Sequence, residues 1–119
     1  MPPSNVQIFG LKSSRATRAA ERFFKERRIP IQFVDLQLRG MAPAEIKRFI
    51  DRFGLTELLD RGSKAYLDAG LSYMRLANDE LIDKIERNPA LLSLPLVRAG
   101  NRLSIGQDER SWKEMIGSH

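Results

Sequence analysis

The pattern of apolar and polar positions predicts a strand, a helix and a second strand in the N-terminal third of the chain. A short apolar stretch, residues 6–9, ends at Gly10, which is typical of a strand. Serine then offers a cap for a helix that begins near Arg15, and the β-rich residues 31–36 predict a largely buried second strand. The helix between them is long enough for a right-handed crossover, so the pattern indicates a β-α-β unit.

The predicted first helix is amphipathic, with one face towards the core and the opposite face towards solvent. The apolar face comprises Ala16, Ala19, Ala20, Phe23 and Phe24. The basic face comprises Arg15, Arg18, Arg22 and Lys25. Pro30 follows the predicted helix end, and the cations Arg27 and Arg28 near that end complement the helix dipole.

Residues 43–88 predict a helical block. A second helix opens at Ala42-Pro43 and ends at Gly54. Its apolar positions are Ile46, Phe49, Ile50 and Phe53. Residues 56–76 predict short, broken helices, and Asn78 is the predicted cap of a third clear helix. The apolar positions of that helix are Leu81, Ile82 and Ile85.

The C-terminal third predicts two antiparallel strands and a last helix. Residues 95–98 and 102–105 flank Gly100-Asn101, a hairpin signal, and Asp108 then caps the helix. The buried positions of this helix are Trp112, Met115 and Ile116. The element order is therefore β-α-β, helices, β-β-α. Because no linker marks a boundary, we expect one domain over residues 1–119.

The composition supports a folded protein and excludes several classes of chemistry. With 119 residues, 42% of them hydrophobic and 29% charged, the chain can bury a core without disulfides. It has no cysteine, which excludes thiolate catalysis, disulfide exchange and thiolate metal sites, and no metal site is predicted. The one histidine is the terminal His119, so a Ser-His-Asp triad is not expected.

The sequence also predicts where the protein is found. No apolar run approaches the roughly 20 residues of a membrane span. Residues 1–5 have neither the basic start nor the apolar stretch of a signal peptide. We therefore expect a cytoplasmic monomer that does not bind a membrane.

The positive charge is concentrated in one segment. Residues 12–28 hold seven basic and two acidic side chains, so the net charge of this segment is +5, the same as that of the whole chain. This segment is where anionic partners are expected, although a solvated helix face explains it equally well. Direct nucleic-acid binding is not predicted, because Phe9 is the only aromatic residue placed to contribute to it.

Four segments of the chain, taken together and in order, point to one family. They are residues 8–18, 58–66, 88–97 and 105–112. Their combination resembles the arsenate reductase (ArsC) and Spx family and covers nearly the whole chain. In the first segment, Ser14 stands where the family has its active-site cysteine, and Arg18 stands where the family has an arginine four residues later.

The resemblance implies a fold and a site. The fold is α/β and thioredoxin-like, with a mixed four-stranded sheet, a helical insertion near residues 43–88 and a cis Pro95. The implied catalytic position is Ser14, at a helix start whose free N–H groups and dipole attract oxyanions. The implied anion- or glutathione-binding residues are Lys12, Ser13, Arg18, Arg61, Leu94 and Pro95. No bound cofactor is expected, and glutathione is the implied ligand or co-substrate.

Two departures from the family argue against arsenate reduction. The Ser14 hydroxyl has no resident base and cannot form the sulfur intermediates that reduction requires. Leu94 replaces the arginine that precedes the family's proline, which removes one anion ligand. Each residue also has a structural interpretation: Ser14 as a helix cap, Arg18 as part of a solvated face, and Arg61 and Pro95 as residues that shape the chain.

Several functions remain open. The favoured one is an ArsC-like relative of glutathione-linked reductases that keeps a small-anion or glutathione pocket without redox turnover. A second is a Spx-like adaptor that binds the α subunit of RNA polymerase, because residues 61–64 resemble the corresponding Spx stretch. A third is an active ArsC-like reductase in which an engineered change put Ser14 in place of cysteine, and a fourth is a structural remnant without a ligand.

Overall fold

The computed structural model describes residues 5–117, so the expectations for residues 1–4 and for His119 lie outside the described residues. The strands are β1 (Val6–Gly10), β2 (Ile31–Asp35), β3 (Leu96–Ala99) and β4 (Arg102–Ile105). The helices are α1 (Arg15–Glu26), α2 (Pro43–Phe53), α3 (Leu55–Leu58), α4 (Lys64–Asp68), α5 (Asn78–Arg87) and α6 (Glu109–Met115). Short 3-10 turns lie at Leu71–Tyr73 and Pro89–Leu91.

The chain divides into two compact units. The first contains the N-terminal segment up to Arg39 and the C-terminal segment from Leu94, and the second is Gly40–Ser93. The α-helices of the second unit run from Pro43 to Arg87, within the helical block of residues 43–88 that the sequence predicts. The organisation into one domain stays a prediction.

The first unit contains a mixed four-stranded sheet in the order β2-β1-β3-β4. Strand β1 pairs with β2 in parallel and with β3 in antiparallel, and β3 pairs with β4 in antiparallel. The parallel pair requires the crossover through α1, and the β3–β4 pair closes through Gly100, whose φ is +62°. The predicted β-α-β and β-β-α orders are both confirmed.

The core of the first unit lies where α1 and α6 pack on one face of the sheet. Its buried members are Val6, Ile8, Ala20, Phe23, Phe24, Val97, Ala99, Trp112 and Met115. The ring centroids of Phe23 and Trp112 are 5.4 Å apart, and those of Phe23 and Phe24 are 5.0 Å apart. Aromatic side chains thereby hold α1 against α6 as well as against the strands.

The C-terminal end of α1 follows the predicted charge pattern. Arg27 is the C-cap, its guanidinium donates to the Phe23 carbonyl (3.1 Å), and its Cζ lies 3.8 Å from the centre of the Phe23 ring. Arg28 has a φ of +58°, and the next N–H, of Ile29, donates to the Phe24 carbonyl (2.9 Å). These bonds satisfy the carbonyls of the last turn and turn the chain towards β2.

The second unit contains helices α2 to α5. Helix α2 begins at Pro43 and ends before Gly54, whose φ is +85°, as the sequence predicts. Residues 56–76 are broken into α3, α4 and a 3-10 turn, which confirms the expectation for this segment.

Two predicted details are wrong. Asn78 is the first residue of α5 and not its cap, since the cap is Ala77, whose N–H donates to the Glu80 carboxylate (3.2 Å). The second strand is not largely buried, because β2 is an edge strand in which only Val34 is buried. On the predicted apolar face of α1, Ala19 packs half-buried against the core and Ala16 is half-buried, and the side chain of Thr17 is buried as well.

Among residues 5–117, no helix is long and apolar enough to cross a membrane. Nor does this part of the chain group three or more histidine or acidic side chains in a way that would hold a metal ion.

The first turn of α1 packs directly onto the end of β1. Gly10 and Thr17 are both buried, and a Cβ at Gly10 would lie 2.6 Å from Thr17 Cγ2 and closer still to Thr17 Oγ1. No carbon atoms pack at such a distance, so only glycine fits here. The start of α1 is therefore fixed relative to β1 by the missing side chain of Gly10.

Gly10→Ala should destabilise the protein by about 1–3 kcal/mol, because the added methyl must displace α1 or Thr17. Urea unfolding measures this loss. In the double variant Gly10→Ala/Thr17→Ala, the loss should be smaller than the sum of the single losses, because the two closest atoms, Thr17 Oγ1 and Cγ2, are gone. Gly40→Ala, where a Cβ meets nothing within 4 Å, is the matched control. Equal losses for Gly10→Ala and Gly40→Ala would contradict this packing.

Candidate functional site

Ser14 is the N-cap of α1. Its backbone is extended (φ −80°, ψ 121°), and its Oγ accepts a hydrogen bond from the Thr17 N–H at 3.2 Å. The Ser14 N–H donates to the Leu11 carbonyl (3.0 Å), which closes the turn between β1 and the helix. The predicted serine cap is confirmed at Ser14, and Ser13 is exposed one residue earlier.

The start of α1 leaves two backbone donors free. Neither the Arg15 nor the Ala16 N–H has an acceptor within residues 5–117, whereas the Thr17 and Arg18 N–H groups are bonded to Ser14. The first turn contains no acidic side chain that would neutralise the positive end of the helix dipole. Free donors and a partial positive charge are the features that bind small oxyanions.

Pro95 lies at the same end of the sheet as the loop that leads to α1. Leu96 pairs with Phe9, so the next antiparallel step places Pro95 opposite Gly10, where β1 ends. The Leu94-Pro95 bond is cis, as the resemblance implies, and the Pro95 carbonyl accepts a hydrogen bond from the Gly106 N–H (3.0 Å). Pro95 is buried, and Leu94, which precedes it, is half-buried and brings no charge.

The three basic candidates, Lys12, Arg18 and Arg61, lie in different parts of the structure. Lys12 is exposed in the loop before α1. Arg18 is exposed on α1, where its side chain lines an open surface hollow together with Arg15 and Arg22. Arg61 belongs to the second unit and is exposed in the turn that precedes the α4 cap, Ser63. The structure thus places Arg18 on the outward face of the helix, and the assignment of Arg61 to anion binding stays a prediction.

Thr17 is the residue that the sequence analysis missed. It is fully buried, and its Oγ1 has no hydrogen-bond partner within the described chain. The spacing of Thr17, Ala20 and Phe24 at i, i+3 and i+7 is the signal that places it on the buried face. The Thr17 hydroxyl lies against Gly10, so this side chain sets the distance between α1 and β1.

The chemistry available at Ser14 is limited. The Ser14 Oγ is engaged by the Thr17 N–H, and no base contacts it among the described residues. A serine hydroxyl needs such a base to act as a nucleophile. Phe9 is 1% exposed, so its ring is not available to stack on a base. The expectation of no direct nucleic-acid binding stays a prediction.

Comparison with known proteins identifies relatives along most of the chain. The model of the ArsC family matches residues 9–115. An arsenate reductase of Neisseria meningitidis is 28% identical over 105 residues, which cover 86% of this chain and 90% of that protein.

Solved structures show the same fold. The protein named YFFB has a TM-score of 0.83 at 16% identity, over 93% of this chain and 98% of its own. An arsenate reductase from Vibrio cholerae has a TM-score of 0.79 at 18% identity, over 95% of this chain and 98% of its own. The thioredoxin-like α/β fold is therefore confirmed.

Ser14→Ala should lower the free energy of unfolding by about 0.5–2 kcal/mol, because the Thr17 N–H loses its acceptor. Ser14→Asn, which keeps a capping oxygen, should stay within a few tenths of a kcal/mol of the parent protein. Both values come from urea unfolding. If Ser14→Ala and Ser14→Asn are equally stable, the hydroxyl does not cap α1.

Proposed function

The chain belongs to the ArsC family, and we propose that it keeps a small-anion pocket at the start of α1 without the thiol that redox turnover needs. The observation that carries the proposal is the pair of free N–H groups, on Arg15 and Ala16, at a capped helix start in a chain without cysteine. The donors come from the backbone, so they persist whichever side chain occupies position 14.

The proposal of no redox turnover follows from the atoms present. Thiol-linked reduction requires a sulfur that is attacked and then released by a second thiol. This chain contains no cysteine, and the oxygen of Ser14 cannot form the corresponding bonded intermediates. The pocket therefore binds an anion and releases it unchanged.

The proposed ligands are a small oxyanion or a carboxylate of glutathione. The N–H groups of Arg15 and Ala16 donate to it, Lys12 raises the local positive potential, and the Ser13 hydroxyl adds a polar contact. Pro95 and Leu94 form the neighbouring edge of the pocket, and Leu94 contributes shape without charge. Arg18 reaches this ligand only by folding its side chain back from the outward face, so we assign it a minor share.

A Spx-like adaptor that binds the α subunit of RNA polymerase is the second candidate function. The specific observation in its favour is that Arg61 and Gly62 are exposed in the turn before α4 and that Lys64, the first residue of α4, is exposed beside them, so the Spx-like stretch is accessible to a protein. The third candidate, an active reductase changed at position 14, is tested by sequencing the source gene at that codon.

The protein as it stands should not reduce arsenate in the presence of glutathione and glutaredoxin, because it offers no sulfur nucleophile. A coupled assay of glutathione oxidation measures this. Ser14→Cys restores a thiol at a helix start, where its pKa is lowered, and we expect detectable but slow turnover. Ser14→Cys/Leu94→Arg, which also restores the missing cation, should be faster. Turnover by the parent protein would contradict the proposal.

Sulfate, arsenate and glutathione should bind with dissociation constants of about 1 mM or higher. The site is open to solvent, and salt screens the attraction of more distant charges beyond about 8 Å. An NMR titration should shift the amide signals of residues 12–18 and those next to Pro95. Lys12→Gln should weaken binding, and Lys113→Gln, which removes an exposed cation of α6, should not. Equal weakening by both substitutions would show only diffuse charge attraction.

A further inference from the structure

The outward face of α1 carries an arginine stripe, defined as the side chains of Arg15, Arg18 and Arg22. All three are exposed, and together they line one open hollow on the surface of the first unit. Within residues 5–117, none of the three forms an ion pair or a side-chain hydrogen bond. The stripe is thus a positive surface in which no guanidinium has a carboxylate of the described chain within ion-pair distance.

Each of the other helices that carry basic side chains contains an ion pair, although α2, α5 and α6 also have single cations outside it, such as Arg48 and Lys113. Lysine or arginine pairs with an acid one turn away on α2, α4, α5 and α6. These pairs are Lys47–Asp51, Lys64–Asp68, Arg87–Asp83 and Arg110–Glu114. On α1 itself Lys25 approaches Glu21 at 3.9 Å. A solvated helix face is typically built from such pairs, and the arginine stripe is not.

The arginine stripe also opposes the stability of its own helix. Arg18 and Arg22 are four residues apart, where like charges repel. Arg15 and Arg18 lie in the first turn, at the positive end of the helix dipole, where acids and not bases are favourable. Solvation alone gives no reason for this placement, whereas carboxylates of a bound partner would relieve both repulsions.

The shape of the surface favours a macromolecule over a small ligand. A small-molecule pocket encloses most of its ligand. The hollow is lined by three side chains of one helix and is open, so it has no opposing wall. In the described part of the first unit, no aromatic side chain is exposed, so bases of a single strand have nothing on which to stack. These features favour a protein partner over a nucleic acid.

We propose that the arginine stripe binds an acidic helix of a partner protein. Steps of three and four residues place the guanidiniums along about 10 Å of the helix, and a partner helix with acids at i, i+3 and i+7 repeats that spacing. Arginine forms bidentate pairs with carboxylates, which fixes the register of such a contact. The interaction is independent of the small-anion pocket, which uses backbone donors.

The test uses the full chain and a fluorescent 16-residue alanine-based peptide with glutamates at i, i+3, i+7 and i+10. At low ionic strength, fluorescence anisotropy should show that this peptide binds more tightly than a scrambled peptide of equal charge. The variant Arg15→Gln/Arg22→Gln, which spares Arg18, should weaken binding by about tenfold. Arg48→Gln/Arg102→Gln removes two exposed arginines elsewhere and should change it less than about twofold.

The charge reversal Arg15→Glu/Arg22→Glu should transfer preference to a peptide in which lysines replace the glutamates.

Three results would overturn the proposal. The scrambled peptide binding as tightly as the ordered one would show diffuse attraction. If Arg15→Gln/Arg22→Gln and Arg48→Gln/Arg102→Gln weaken peptide binding equally, the attraction is diffuse as well. A DNA duplex that binds through Arg15 and Arg22 more tightly than the peptide would assign the stripe to nucleic acid. Because the peptide assay never probes sulfate or glutathione, its failure is distinguishable from failure of the small-anion pocket.

Discussion

The close approach of Gly10 and Thr17 is the constraint on which the candidate site depends. A Cβ at Gly10 would overlap the Thr17 side chain, so the first turn of α1 can sit against the end of β1 only because residue 10 is glycine. That contact sets where the helix starts, and Ser14 then caps the helix through the Thr17 N–H. Thr17 therefore links the packing of the sheet to the geometry of the helix start, where we propose the anion pocket.

Helix α1 has a buried face that packs against the core and an exposed face that carries arginines. The buried face packs Phe23 and Phe24 against Trp112 and the strands, and burial of side chains of this size contributes about 1.5–3 kcal/mol each. That stabilisation is larger than the repulsion among the exposed arginines, which costs a few tenths of a kcal/mol per pair. A helix held by its core can thus carry a surface that an isolated helix would disfavour.

The fold and the reactive group of this family are separable. The sheet, the helix start and the cis Leu94-Pro95 bond are all present in a chain without cysteine. Backbone N–H groups at the helix start depend on the fold alone, whereas reduction depends on one side chain. This chain has the free backbone N–H groups and no cysteine, which is why we propose binding without turnover.

The sequence by itself determined the element order, the Ser14 cap, the absence of thiol chemistry and the location of the excess charge, because each is a local property of residue type and spacing. Sequence also pointed to the cis Pro95, but only through the family resemblance. Tertiary structure alone decided the rest. The edge position of β2 follows from strand order, and the burial of Thr17 follows from its fit to Gly10. The position of Pro95 opposite Gly10 follows from the pairing of β1 with β3, two strands whose residues lie far apart in the sequence.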